Sequence, residues 1–407
     1  MLGKPLVSFG TLTVTALSVL LLIAARPAQA QTENVLYNFT GGDDGGGPYA
    51  GLISDGAGDF YGTTPFGGLG GQFNGHGIVF KLSANNTGGW RETVLYRFKG
   101  GTDGGNPVGP LIFDSAGSLY GTAANGGAFG HGVVFELSRT EASWSETVLY
   151  SFSGGEDGEN PETGLILDRA GNLYGTTLGC CGGSGYGTVF ELSPSGGGGW
   201  TEQVLYSVET TTSYAGLTMD DAGKIFGIGN DSVFELSPNG HGGWNPTVIH
   251  NFAGGPKDGG QAESTLVLDK AGNLYGTTVY GGARGVGTVY KLSHGKKGWK
   301  EQILYSFKGG KKDGTGPFGG MVLDAGGNLY GTTDGGGKYG KYGNGTVFEL
   351  AAPVGKVGYK EKVLWNFDGP DGSEPDGILL LDSAGNLKGT TYAGGTSNWG
   401  GVFELTP

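Results

Sequence analysis

The chain is 407 residues long, with 90 glycines, 11% aromatic and 15% charged residues, and a formal net charge of −13. So much glycine excludes a mainly helical protein, because glycine weakens helices and favours tight turns, and the aromatic content excludes a disordered glycine-rich linker. The negative balance repels phosphate backbones and anionic headgroups, which disfavours nucleic acid and peripheral membrane surfaces as partners.

Residues 1–30 differ from the rest. Lys4 supplies a positive start, Thr11 to Ala25 is uncharged and mostly apolar, and Ala28-Gln29-Ala30 places small residues where a signal peptidase reads them. The pattern predicts a signal peptide cleaved near Ala30/Gln31 and export to the periplasm or the cell exterior. The competing reading is an uncleaved anchor, since Pro5 to Ala25 carries no charge. No later run is long and apolar enough to be a transmembrane segment.

From Gln31 onward one unit of roughly fifty-five residues recurs seven times. Its lines start near Val35, Val94, Val148, Val204, Val248, Ile303 and Val363, each with a Val-Leu-Tyr-like run. Gly164 to Asp168, Asn172 to Thr177 and Val189 to Leu192 show the other three runs intact. Four strand-length runs rich in β-branched and aromatic residues, separated by turn residues, make one propeller blade. The expected fold is therefore all-β: a seven-bladed β-propeller over residues 31–407, four antiparallel strands per blade, and a monomer. Because the first line opens on the outer run and the last ends on Val402 to Leu405, the last blade lacks an outer strand. Glu33 to Phe39 is predicted to supply it and close the ring.

Asp-x-x-Gly recurs once per line, from Asp55/Gly58 to Asp382/Gly385, and reads as a hairpin turn. The aromatics before each outer run, Trp90, Trp144, Trp200, Trp244, Trp299 and Tyr359, read as packing at the outer rim.

These lines resemble the GloVer-type tandem repeat of bacterial exported proteins. The likeness rests on the Asp-x-x-Gly-Asn-Leu-Tyr-Gly-Thr-Thr core, the Gly-Gly loop and the Gly-Thr-Val-Phe-Glu-Leu strand, as in Asp269 to Leu292. It implies a repeat architecture and no catalytic residues. Members often carry a C-terminal surface anchor; with Pro407 directly after the last strand, none is expected here. A weaker likeness to lactonase-like and lyase-like propellers places no metal or catalytic residue on this chain.

Function is expected in loops and in departures from the consensus. Asp44, Asp103, Asp157, Asp258, Asp313 and Asp371 fall in Asp-Gly loops after the outer runs and are missing only from the line spanning Val208 to Tyr214. A ring of carboxylates at a channel mouth suits Ca²⁺ or a polar polymer; Asp-Gly is equally a favoured turn dipeptide. His76 and His131 share one loop position in adjacent lines, as exposed loop residues or a metal pair. Cys180-Cys181 are a strained vicinal disulfide, two free thiols or an intermolecular link. The fourth line shortens its loops around Ile228 to Asp231, which reads either as drift in a repeat under weak constraint or as a notch in the rim. The expected function is a non-enzymatic binding or scaffold module for an unidentified polymer or protein ligand, using the glycine-rich loop face and the central channel. The alternatives are a Ca²⁺-assisted lyase or hydrolase on sugars or lactones, and a purely structural surface protein.

Overall fold

The computed structural model describes residues 31–406 apart from 72–74, 142, 180–186, 209–214, 230, 340–342 and 356. The predicted signal peptide, residues 1–30, and the Cys180-Cys181 pair lie outside the described residues. All regular structure among the described residues is β. Blade 1 runs outward from the axis as Ile53–Ser54, Phe60–Thr64, Ile78–Ala84 and Trp90–Arg97, each strand antiparallel to the next. Blades 2 to 6 repeat that order, from innermost strands Ile112–Phe113, Ile166–Leu167, Thr218–Met219, Val267–Leu268 and Val322–Leu323. In blade 7 the order is Leu380–Leu381, Leu387–Thr391, Gly401–Thr406 and then Thr32–Asn38. The N-terminal strand closes the ring, with Val35 opposite Phe403 and Tyr37 opposite Val402.

The repeated motifs follow from this layering. The third strand is covered on both faces, so Val79, Phe80 and Leu82 are wholly buried while Lys81 reaches the edge. The Phe80 ring passes over the second strand, where a Cβ on Gly62 would come 2.7 Å from its Cζ; that is why Leu-Tyr-Gly-Thr-Thr needs its glycine. In every blade the outer strand bulges at the middle residue of Val-Leu-Tyr: Phe80 pairs with Val94 and Val79 with Tyr96, leaving Leu95 over. The bulge adds twist and sends Leu95 into the cluster shared with blade 2. One phenylalanine after most outer strands then packs edge-on against the third strand of the next blade. Phe98 on Phe135 and Phe39 on Phe80 both stand at 5.1 Å.

The Asp-x-x-Gly turns form as expected. Asp168 Oδ1 accepts the N–H groups of Ala170 and Asn172, both at 2.8 Å, and its Oδ2 accepts the Tyr174 hydroxyl at 3.1 Å. Blade 7 carries Lys388 where other second strands carry tyrosine or phenylalanine. Its ammonium, almost wholly buried, contacts Asp382 at 2.7 Å and Glu404 at 2.8 Å and lies over the Phe60 ring. Against the upward pull of burial, hydrogen bonds from Lys388 and Asn386 hold Asp382 down to about 2. Lys388→Met strands two carboxylates and is expected to cost about 3–5 kcal/mol in denaturant unfolding. Lys388→Tyr, which restores the repeat's own donor, is expected to be nearly neutral.

Candidate functional site

Isolated bridges from Gly46 to Phe66, Gly105 to Asn125 and Ser373 to Ala393 pin the loops entering blades 1, 2 and 7 against the second-to-third-strand loops of those blades, and short pairings do the same in blades 5 and 6. Both long loops therefore share one face. In the entering loop one residue is left-handed: Asn106, Asn160 and Gln261 at φ 55° and Glu374 at φ 54°. A side chain there is strained. The strain is held by a bond back to the previous blade, from Asn106 N–H to His76 O at 2.7 Å and from Asn160 N–H to His131 O at 2.9 Å. Gln261 N–H reaches the Asp231 carboxylate instead, at 2.9 Å.

Two residues further on, the chain turns to the axis. Tyr49, Val108, Glu162, Glu263, Phe318 and Asp376 occupy this position in blades 1, 2, 3, 5, 6 and 7 and line a cavity of about 60 Å³. Residues from all seven blades line it, which only the ring axis allows, and none is lysine or arginine. Oδ1 of Asp376 and Oε2 of Glu263 are sealed from solvent with no hydrogen-bond partner among the described residues. Burial, reinforced by Asp334 and Glu374, pushes Asp376 up to about 7. Burial also raises Glu162 and Glu263, Asp231 adding to the latter. The mouth is thus a set of carboxyls short of positive charge and ready to hold protons.

A groove of about 320 Å³ adjoins this cavity, sharing Tyr49, Val108 and Glu162 with it, and is walled by Phe66, Tyr392, Asn106 and Asn125. Tyr49 and Phe66 each pack edge-on against Tyr392. The Asn125 amide donates to Asn106 Oδ1 at 3.0 Å, fixing the polar end of the wall.

The six loop aspartates do not line this cavity. All but Asp258 are latched to the outer strand before them. Asp44 accepts the Tyr37 hydroxyl and Thr40 N–H, both at 3.0 Å. Asp103 is bound by Tyr96, Asp157 by Tyr150, Asp313 by Tyr305 and Asp371 by the Trp365 N–H. Asp258 accepts Ala253 N–H at 2.7 Å. A glutamate on the next blade's outer strand faces each pair: Glu92, Glu146, Glu202, Glu301, Glu361 and Glu33. Burial first, and the facing aspartate second, push every one up to about 7. In all six Oε1 is sealed and unpartnered among the described residues. The loop that lacks its aspartate, 208–214, precedes the one outer strand that lacks the glutamate, where Pro246 stands.

His76 and His131 lie at seams as well. Their rings sit against Gly100 and Gly154 of the following loops, the place Trp399 takes against Gly41. His131 Nδ1 also stands 2.9 Å from Glu159. The two histidines are not brought together with further ligands in any group of three metal-ligating side chains among the described residues. In blade 4, Ile225–Gly229 and Ser232–Pro238 are joined by a tight hairpin, with Asp231 at φ 52°. Its neighbours carry Glu162 and Glu263.

The chain matches the Gloeobacter/Verrucomicrobia repeat family over residues 22–144, 70–232 and 228–407. None of the curated proteins matches it. Among solved structures it is similar to a candidate 6-phosphogluconolactonase of Bacteroides fragilis, 14% identical, over 83% of this chain and 89% of that one, with a TM-score of 0.51. A Lactobacillus plantarum protein is 13% identical over 77% and 84% of the two chains, with a TM-score of 0.49.

Proposed function

The chain belongs to the Gloeobacter/Verrucomicrobia repeat family, and we propose that it is an exported binding propeller that receives a neutral saccharide chain on its loop face, at the mouth of the channel. One observation carries this reading. Carboxyls from three non-adjacent blades converge on the axial cavity beside a groove walled by Tyr49, Phe66 and Tyr392 and by the amides of Asn106 and Asn125. Aromatic faces suit the apolar faces of sugar rings, amides and protonated carboxyls suit hydroxyls, and the groove has the volume of a small-ligand site. The net charge of −13 disfavours polyanions. Export rests on the charge-free run and Ala28-Gln29-Ala30. On a glycan array the chain from Gln31 onward is expected to retain neutral glycans and not sulfated or uronic ones; retention of no neutral glycan rejects the reading.

A second reading, a hydrolase or lyase on sugars or lactones with Ca²⁺ as helper, is favoured by Asp376 alone. A carboxyl titrating near 7 is suited to proton transfer at neutral pH. Lactone hydrolysis above the uncatalysed rate, lost in Asp376→Asn, would decide for it.

A further inference from the structure

The geometry points to a site for a first-row divalent metal ion, of the Zn²⁺ type, on His250, Asp258 and Glu301 at the seam between blades 4 and 5. One ligand atom from each lies within 4.8 Å of the others. The three come from separate elements: the outer strand Trp244–Asn251, the loop that follows it, and the outer strand Gly298–Ser306 of blade 5. An ion there would clamp adjacent blades, next to the only seam from which the Asp and Glu pair is missing.

The position departs from the repeat in a way that changes its chemistry. At five other seams a tyrosine hydroxyl or the Trp365 N–H donates to the loop aspartate. Those groups are donors and satisfy the carboxylate. Blade 4 has an imidazole instead, which in its neutral form offers a lone pair. His250 Nε2 stands 3.5 Å from Asp258 Oδ1, sealed from solvent and without a hydrogen-bond partner among the described residues. Glu301 Oε1 is sealed and unpartnered too.

The surroundings favour a cation. Ala253 N–H and Gly259 N–H, each at 2.7 Å, hold the two oxygens of Asp258 and leave each a lone pair. Phe252 lies edge-on to the imidazole at 4.6 Å, which restrains the ring. Ligand atoms on a tetrahedral Zn²⁺ stand roughly 3.5 Å apart. Closing the site takes a contraction of roughly 1 Å, within reach of side-chain torsions. One imidazole with two carboxylates selects a transition ion over Ca²⁺.

Titration of Zn²⁺ into the metal-free chain from Gln31 onward, followed by calorimetry and thermal melting, tests the assignment. One equivalent is expected to bind with micromolar affinity and to raise the melting temperature. His250→Tyr restores the donor of the other seams and so keeps the fold; it is expected to weaken binding by roughly tenfold or more. Glu301→Gln is expected to weaken it as well. No stoichiometric uptake by the unaltered chain, or wild-type affinity in His250→Tyr, overturns the site.

Discussion

Removing residues 32–39 is expected to lower the melting temperature by on the order of 10 °C or more, or to abolish the cooperative transition. The strand pairs with Gly401–Thr406 from Thr32 through Asn38. Its ladder hydrogen bonds contribute about 1 kcal/mol each, and burial of Leu36 and Phe39 adds about 2 kcal/mol apiece. Their sum approaches the 5–15 kcal/mol that roughly bounds the stability of a whole domain. The loss falls in two places. Gly401–Thr406 becomes an unprotected edge, and Phe80 of blade 1 loses the wholly buried Phe39 ring. Phe39→Ala alone is expected to cost about 3–5 kcal/mol. A synthetic peptide covering residues 31–41, added in trans, is expected to restore part of the transition by strand addition. An unchanged melt after the deletion would mean that the ring does not depend on the strand.

Stability should also fall as pH rises from about 5 to about 8, by on the order of 5 °C in melting temperature. Glu33, Glu92, Glu146, Glu202 and Glu361 are each raised in the folded state from 4.5 to about 7. Between those values the folded chain holds protons that the unfolded chain has lost, so folding is favoured in full below the unfolded value and progressively less as pH climbs through 7. Each side chain keeps part of its solvent, so each contribution is much smaller than the full shift would imply; five acting together make it measurable. Asp157, Asp269 and Asp382 work the other way. Hydrogen bonds outweigh burial and lower them, so their contribution disappears as pH falls below the usual carboxylate range. The melting profile should therefore peak near pH 5. Changing Glu92, Glu146 and Glu202 together to Gln should flatten its alkaline side. A melting temperature that climbs from pH 5 to pH 8 would show these carboxyls ionised in the fold.

Most of the architecture was readable because each repeat restates it. The four runs of a blade, their order and the donated N-terminal strand follow from where Val35 to Tyr37 and Val402 to Leu405 stand in the chain. The glycine of Leu-Tyr-Gly-Thr-Thr, by contrast, makes sense only with the Phe80 ring above Gly62. The residues that line the channel mouth carry no such signal, although Glu162, Glu263 and Asp376 stand in one column of the repeat. That column lies outside any strand, and its residue changes from blade to blade, so nothing regular marks it. Two signals were available for the loop aspartates. Tyr37 and Asp44 recur at the same separation as Tyr96 and Asp103, and Asp and Glu vanish together around Pro246. A pair that is kept or lost jointly at seams points to blade packing before a mouth. Trp399, in the place of His76 and His131, likewise marks that position as one for a flat ring rather than a ligand.

The most direct measurement compares glycan affinity in two variants: Tyr49→Ala in the groove and Asp103→Asn in a loop latch. Binding at the channel mouth predicts a loss of roughly tenfold or more for Tyr49→Ala and near-native affinity for folded Asp103→Asn. The reverse order, with Asp103→Asn losing affinity and Tyr49→Ala keeping it, would move the binding site from the axis to the outer seams and contradict the proposal.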